Sequence, residues 1–217
     1  MFVSHTLSVA ERGSMGKKTY EPGPMIKESR CARLYSTLDA SVQERVTARV
    51  AELISENREF CDAGNYGHLC NMFSALAMYE ALQEAGVPKD EAYDRVTQAM
   101  WDVVETTTAP TYRKLFSKPW VFGLLGKMLP KMFANGSGAG WEYVWHPESQ
   151  SRDYLQFECV KCIYPGFFDK YGAPELGPAF CHADDINYGH IPGIEFRREH
   201  TLCVDGQTCD FLFVRKK

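Results

Sequence analysis

Long hydrophobic runs, an excess of basic charge and the common nucleotide-binding loops are all missing from this chain of 217 residues. The formal net charge is -4, from 24 Lys and Arg against 28 Asp and Glu, so we predict no nucleic-acid partner. The most apolar stretch, PWVFGLLGKMLPKMF, is short and interrupted by Lys and Pro, which predicts no membrane span. No phosphate loop, dinucleotide fingerprint or Gly-x-Ser-x-Gly elbow occurs. These absences exclude the enzyme classes that depend on such motifs.

A secretory signal is also absent from the opening segment, MFVSHTLSVAERGSMGKK, which has no continuous apolar stretch. The eight cysteines are therefore expected to be reduced thiols, and the chain is expected to be cytoplasmic. With 45% hydrophobic residues, the chain can build an ordinary globular core.

The hydrophobic pattern predicts an α+β fold, with N-terminal helices packed on a C-terminal antiparallel sheet. Residues 1–35, which contain Pro22 and Pro24, are predicted to be a flexible lead-in, and residues 36–217 a single domain. Apolar residues recur at three- and four-residue steps over 38–133, which predicts helices. The period becomes two in WEYVWH, so 140–215 is predicted to hold the sheet with short helices between its strands.

A hairpin is predicted near the end of the chain, because Asp205-Gly206 is a strong two-residue turn signal. A two-residue turn there places Leu202 opposite Cys209 and Arg198 opposite Phe213. A one-residue slip, or a three-residue loop with a bulge, remains an alternative register.

In this hairpin Arg198 lies on an otherwise apolar face, and a buried guanidinium needs an anionic partner. That partner is either a protein carboxylate, such as Asp184 or Asp185, or the carboxylate of a ligand. The sequence leaves both alternatives open.

Cysteines suggest two further kinds of site. Cys159 and Cys162 resemble half of a zinc knuckle, without a second Cys-x-x-Cys, so a zinc or iron site would also draw on Cys181 and Cys209. The sequence does not require any cofactor.

The second kind of site is a nucleophile in the segment CHADD. Cys181 is expected close to the start of a short helix, where the pKa of a thiol is lowered, and Asp184 could act as a base. The alternative is a buried Cys181 with Asp184 as a helix cap.

Several of these motifs resemble the L-2-amino-thiazoline-4-carboxylic acid hydrolase family. They are FECVKC, YGAPELGPAFCHAD and IEFRREHTLCVDGQTCDFLF, and they contain Glu158-Cys159, Gly172 to Leu176, Cys181 with Asp184, Phe196 to Leu202, and Gly206 with Cys209, Asp210 and Phe211. The resemblance is specific over about residues 140–215 and looser upstream.

This resemblance implies a hydrolase, acting on C–N bonds, that opens a small carboxylated cyclic amidine, such as 2-aminothiazoline-4-carboxylate, to an N-carbamoyl amino acid. The implied catalytic residues are Cys181, Asp184, Glu158 and His200, and the implied substrate-binding residues are Arg198, Thr201 and Cys209. The predicted partner is a small-molecule substrate, and a homodimer is left open.

An alternative function is a non-catalytic module that binds a small molecule or a metal. The end of the chain is also similar, more faintly, to 4-vinyl-reductase domains and TRAPP transport subunits, which pair helices with an antiparallel sheet. A third alternative is an inactive protein that has kept only the fold.

Overall fold

The computed structural model describes residues 18–134 and 138–216. They form two compact units, divided between Val103 and Val104, whereas the sequence predicts a single domain over 36–217. In the first unit the helices are α1 Pro22–Glu28, α2 Ala32–Thr37, α3 Ala40–Glu56, α4 Tyr66–Glu84 and α5 Lys89–Val103, with a 3₁₀ turn at Arg58–Phe60. Each unit buries its own apolar residues, so each has a separate core.

Helix α4 is the centre of the first unit. It is buried on most of its faces, as its nearly continuous apolar sequence predicts, and α1, α3 and α5 pack around it. Helix α3 buries one stripe, made by Val42, Val46, Val50 and Leu53. Gly86, at a φ of 86°, follows the end of α4 in a conformation that favours glycine.

The predicted lead-in is wrong for its second half. Helix α1 begins at Pro22 and buries Met25 and Ile26, and Cys31 is fully buried before α2. Proline is tolerated in the first turn of a helix, so Pro22 and Pro24 begin α1 rather than prevent it. Both helices are too short to show a clear period in the sequence. Residues 1–17 of the predicted lead-in lie outside the described residues.

The second unit combines helices with an antiparallel sheet, which confirms the α+β class. Its elements are a π-helix Val104–Thr108, α6 Ala109–Phe116, α7 Val121–Ala134, β1 Glu142–Trp145, a 3₁₀ turn Pro147–Ser149, β2 Tyr154–Lys161, α8 Ile163–Lys170, α9 Leu176–Tyr188, β3 Ile194–Arg197 and β4 Cys209–Arg215. The strands lie in the order β1-β2-β4-β3. Within the described ranges, no helix is long and apolar enough to cross a membrane.

The two faces of this sheet differ in polarity. Strand β2 buries Leu155, Phe157 and Cys159, while the alternate residues, among them Glu158, are only partly buried. We call the face of Cys159 the inner face and the face of Glu158 the outer face. The inner face is apolar, with Phe157 stacked on Phe211 at 4.8 Å between ring centroids.

Helix α9 lies against this inner face through Tyr188, whose ring contacts Phe196 and Phe213. The start of the unit is tied to the same helix, because the Thr108 hydroxyl donates to Oδ1 of the buried Asn187 at 2.7 Å. Helix α9 is therefore held at both the sheet and the π-helix.

The predicted hairpin register is wrong by two residues. Phe196, not Arg198, pairs with Phe213, and β3 ends at Arg197. Beyond the strand, residues 198–208 form a loop in which the Asp210 carboxylate accepts the backbone N–H groups of Glu199 and His200. These bonds replace the strand ladder that a two-residue turn would need. Because the shift is even, Arg198 keeps the predicted inner face.

Candidate active site

Five cysteines of the second unit lie close enough to influence one another. We call them the thiol cluster: Cys159, Cys162, Cys181, Cys203 and Cys209. All eight cysteines of the chain lie in the described ranges and are free thiols. Cys203 could not be predicted from the sequence to join this cluster, since it has no partner at a recognisable spacing.

Different elements bring these thiols together. Strand pairing sets Cys159 of β2 directly opposite Cys209 of β4. Helix α9 presents the buried Cys181. The loop 198–208 carries Cys203, and Cys162 follows the last residue of β2 and caps helix α8, where its Sγ accepts the Tyr164 N–H at 3.4 Å. No short sequence segment could have formed this cluster alone.

Cys209 has the environment of a thiolate. The Leu202 N–H donates to its Sγ at 3.3 Å, and the thiols of Cys159 and Cys181 are hydrogen-bonding neighbours. The hydrogen bonds from Cys159 and Cys181 lower the pKa of Cys209, although burial opposes them. Charge on Arg198 acts in the same direction as the hydrogen bonds.

Cys181 has the opposite environment. Hydrogen bonding to Cys203 and Cys209, together with burial, raises the pKa of Cys181. Helix α9 begins at Leu176, so Cys181 lies beyond its first turn and gains little from the helix N-terminus. The expected lowering of the Cys181 pKa is therefore wrong, because the helix starts earlier than the sequence suggests.

Arg198 has protein carboxylates as partners, which is one of the two alternatives from the sequence. Its guanidinium donates to Asp184 Oδ2 at 3.3 Å, to Asp185 Oδ1 at 2.6 Å and to the Cys181 carbonyl at 3.0 Å. Burial works to lower the pKa of Arg198, but the two carboxylates outweigh it and the pKa is raised. The Arg198 side chain is 5% exposed and that of Asp184 10%, so this ion pair is buried.

The two aspartates differ in exposure and partners. The Asp185 side chain is 45% exposed and also lies 3.4 Å from Nδ1 of His182. Burial raises the pKa of Asp185, and the positive charge of Arg198 opposes that rise. Asp185 is therefore the partner of Arg198 that can exchange with solvent or a ligand.

Glu158 and His200 are not brought to the thiol cluster. The Glu158 carboxylate is on the outer face and lies 3.0 Å from His146 Nε2. The His200 ring pairs with Asp205 in the exposed turn of the loop, and this hydrogen bond raises the pKa of His200. Side chains alternate along a strand, so the sequence already predicts that Glu158 and Cys159 face opposite sides of the sheet. The position of His200 was not predictable in this way, because it depends on the loop that forms in place of the hairpin.

Thr201 has a hydroxyl that makes no hydrogen bond within the described part of the protein. Its Oγ1 is buried and has no hydrogen-bond partner among the described residues, while its carbonyl accepts N–H groups from Val204 and Asp205. Thr201 precedes Leu202, whose N–H donates to Cys209 Sγ. Thr201 therefore belongs to the loop that contacts the thiol cluster.

A metal centre is not supported by the arrangement of the thiols. Across 18–134 and 138–216, no group of three or more His, Cys, Asp or Glu side chains is arranged to hold one metal ion. The hydrogen-bonding pairs run from Cys159 to Cys209, then Cys181 and Cys203, rather than around one centre. The zinc or iron site on Cys159, Cys162, Cys181 and Cys209 stays a prediction.

A comparison with protein families shows which family the chain belongs to. The family model described as L-2-amino-thiazoline-4-carboxylic acid hydrolase matches residues 68–213. The chain belongs to this family. The matched range contains the whole thiol cluster, the pair of Arg198 and Asp184, and the loop 198–208.

No curated protein matches the chain, and no solved structure matches it. The similarity to 4-vinyl-reductase domains and TRAPP subunits therefore stays a prediction. The family name is that of a hydrolase.

Proposed function

We propose that the protein is a hydrolase that opens a small carboxylated cyclic amidine, such as 2-aminothiazoline-4-carboxylate, to an N-carbamoyl amino acid. The observation that supports this most is the thiol cluster beside the buried ion pair of Arg198 and Asp184, all inside the range that matches the family. A thiolate attacks an electrophilic amidine carbon readily, and neighbouring protonated thiols can supply protons.

The charges near the cluster suit both ends of such a substrate. An amidine is a base that accepts a proton, so its cation is attracted to Asp184 and to a cysteine thiolate. Its carboxylate needs a donor, and a planar guanidinium binds carboxylates in bidentate fashion. We propose that the substrate carboxylate replaces Asp185 on Arg198, and that Asp185 then pairs with His182, which is already 3.4 Å away.

Thr201 is proposed as a second contact with the substrate. A buried hydroxyl without a partner costs free energy, and a ligand oxygen or nitrogen would satisfy it. Asp184 is proposed as the base that takes a proton from water, since it lies beside Cys181 on α9 and is held by Arg198.

The reaction adds one water to the ring. Water supplies the oxygen of the new carbonyl at the carbon between the two nitrogens and the sulfur, and its two protons end on nitrogen and sulfur. The product keeps both nitrogens, so the bond that breaks is the ring C–S bond. This corrects the expectation, made from the sequence, that a C–N bond is broken.

We propose a cytoplasmic location, where thiols stay reduced, for a protein with five cysteines in one site and no disulfide among them. Homodimer formation remains a prediction.

Turnover is tested with synthetic 2-aminothiazoline-4-carboxylate and related cyclic amidines. Ring opening releases a new thiol and adds the mass of one water, so a thiol reagent and mass spectrometry both report it. We expect turnover by the wild type and by Cys61→Ser, whose thiol lies outside the second unit. If none of these compounds is opened but some raise the melting temperature, the alternative of a non-catalytic binding module is favoured.

A further inference from the structure

The thiol cluster offers several candidate nucleophiles. Cys162 and Cys209 both accept a backbone N–H, and Cys209 also has Cys159, Cys181 and the charge of Arg198 as neighbours. Cys209 begins β4, and its Sγ accepts the Leu202 N–H of the loop at 3.3 Å. Strand pairing sets Cys159 of β2 opposite Cys209, and Cys181 of α9 is a further neighbouring thiol. An anion surrounded by donors is stabilised relative to the neutral thiol. Cys209 therefore carries the features of a stabilised sulfur anion.

The neighbouring thiols are not equivalent donors. Cys159 Sγ lies 3.1 Å from the Lys161 carbonyl, so its single proton can go to that oxygen or to Cys209. Cys181 lies between Cys203 and Cys209, and both contacts favour its protonated form. Cys181 is thus the better-placed source of a proton next to Cys209.

Positive charge is close to the same sulfur. The Arg198 guanidinium lies 5.7 Å from the centre of the Phe211 ring, two residues along β4 from Cys209, and binds the carbonyl of Cys181. Arg198 is itself held by the carboxylates of Asp184 and Asp185, so its position is fixed. This fixed charge favours a thiolate at Cys209.

We propose that Cys209 is the nucleophile of the site and that Cys181 is the proton donor to the leaving sulfur. This proposal rests on the proposed function. It also differs from the prediction from the sequence, in which Cys181 attacks and Cys209 only binds the substrate.

The Cys209 thiolate forms a bond to the amidine carbon, the ring C–S bond breaks, and the departing sulfur takes the proton of Cys181. The chain then holds an S-linked isothiourea. Water adds to the same carbon, and its two protons go to Asp184 and to the amidine nitrogen as the carbonyl forms. The bond to Cys209 breaks, its thiolate returns with the electron pair, and Cys181 regains a proton through Asp184. The net change is the addition of one water.

The ionisation of Cys209 is tested without a substrate. Ultraviolet absorbance of thiolates is followed from acid to alkaline pH in the wild type, Cys209→Ser, Cys181→Ala and the control Cys61→Ser, with circular dichroism to check folding. We expect the wild type and the control to show a thiolate step below the ordinary cysteine pKa of about 8.5. Cys209→Ser should lose this step, and Cys181→Ala should move it to higher pH.

A step that persists in Cys209→Ser, or that does not move in Cys181→Ala, overturns the proposal. If Cys209→Ser does not fold, the displacement in Cys181→Ala still decides the result. A wild type without any step below the ordinary cysteine pKa also overturns it.

Turnover then separates this proposal from the proposed function. Removal of the nucleophile should lower kcat about 10³-fold or more, and removal of the acid about 10²-fold. A wild type that shows the step but opens no cyclic amidine contradicts the proposed function and leaves the thiolate assignment standing. A Cys209→Ser enzyme that retains wild-type turnover contradicts the nucleophile and leaves the function standing.

Discussion

Cysteines of the two units are comparably buried but have very different neighbours. In the first unit Cys31 is fully buried, and this burial raises its pKa to about 12; burial likewise raises the pKa of Cys70 to about 12. In the second unit Cys209 is also buried, yet hydrogen bonds from two thiols lower its pKa. Burial therefore keeps Cys31 and Cys70 protonated, whereas the donors and charge around Cys209 make it a candidate nucleophile.

The largest difference in stability between the two units is expected when one arginine is replaced in each of them. Arg198→Met leaves the carboxylates of Asp184 and Asp185 beside the thiol cluster without their buried cation, which should cost about 3 to 5 kcal/mol of unfolding free energy. Arg49→Met is the matched control in the first unit, where Arg49 is 24% exposed and binds Glu80, and it should cost about 1 kcal/mol. Urea unfolding of the two variants measures both costs, and equal losses would contradict the difference between the units.

The dependence of stability on pH should differ in sign between the two kinds of cysteine. The lowered pKa of Cys209 contributes stability that is complete above the unfolded pKa of about 8.5 and is lost as the pH falls through the folded pKa. The raised pKa of Cys31 contributes stability that is present below about 8.5 and is lost as the pH rises towards about 12.

The two pH ranges can be assigned to Cys209 and Cys31 by substitution of each cysteine. Cys209→Ser should flatten the loss of stability on the acid side, and Cys31→Ser the loss on the alkaline side, in urea unfolding measured across pH. A Cys209→Ser variant with the wild-type profile on the acid side would show that the sulfur is not ionised in the folded protein.

A smaller effect is expected from Asp185→Asn. The substitution removes a negative charge that competes with the substrate carboxylate for Arg198, so KM should fall by about 3- to 10-fold with little change in kcat, a free energy of about 1 kcal/mol. Steady-state kinetics with 2-aminothiazoline-4-carboxylate measure this. A rise in KM would mean that Asp185 itself holds the substrate.

Alanine substitutions of two glycines compare helix α9, beside the thiol cluster, with helix α7, outside it. A Cβ at Gly177 would meet Cys203 Sγ at 3.1 Å, whereas a Cβ at Gly126 of α7 meets nothing within 4 Å. Gly126→Ala should therefore stabilise the protein by about 0.5 to 1 kcal/mol, and Gly177→Ala should gain less because Cys203 must move. Thermal unfolding measures both, and an equal gain would show that Cys203 moves freely.

The smallest effect is expected on the outer face of the sheet. Glu158→Gln removes a carboxylate that pairs with His146, away from the inner face that carries the thiols. Turnover should stay within about 3-fold of the wild type, since the substitution touches neither a proposed substrate contact nor a proton donor. A loss of about 100-fold would restore Glu158 to the catalytic role that the family resemblance implied.

Much of the architecture could be predicted from the sequence because it depends on local patterns. Three- and four-residue periodicity identified the helices that became α3 and α4, and two-residue alternation identified the strands of the sheet. Alternation also placed Arg198 on the inner face correctly despite the wrong register, because a shift of two residues preserves the face. Short helices such as α1 were missed because they contain too few residues to show a period.

The sequence by itself therefore determined the fold class, the family motifs and the face on which each strand residue lies. Only the tertiary structure decided that Arg198 pairs with Asp184 and Asp185, that Cys203 joins the cluster, and that Glu158 and His200 lie apart from it. It also decided which donors and charges surround the sulfur of Cys209. The pKa of a thiol depends on donors and charges that reach it from β2, α9 and the loop 198–208, and these neighbours are adjacent only after the chain has folded.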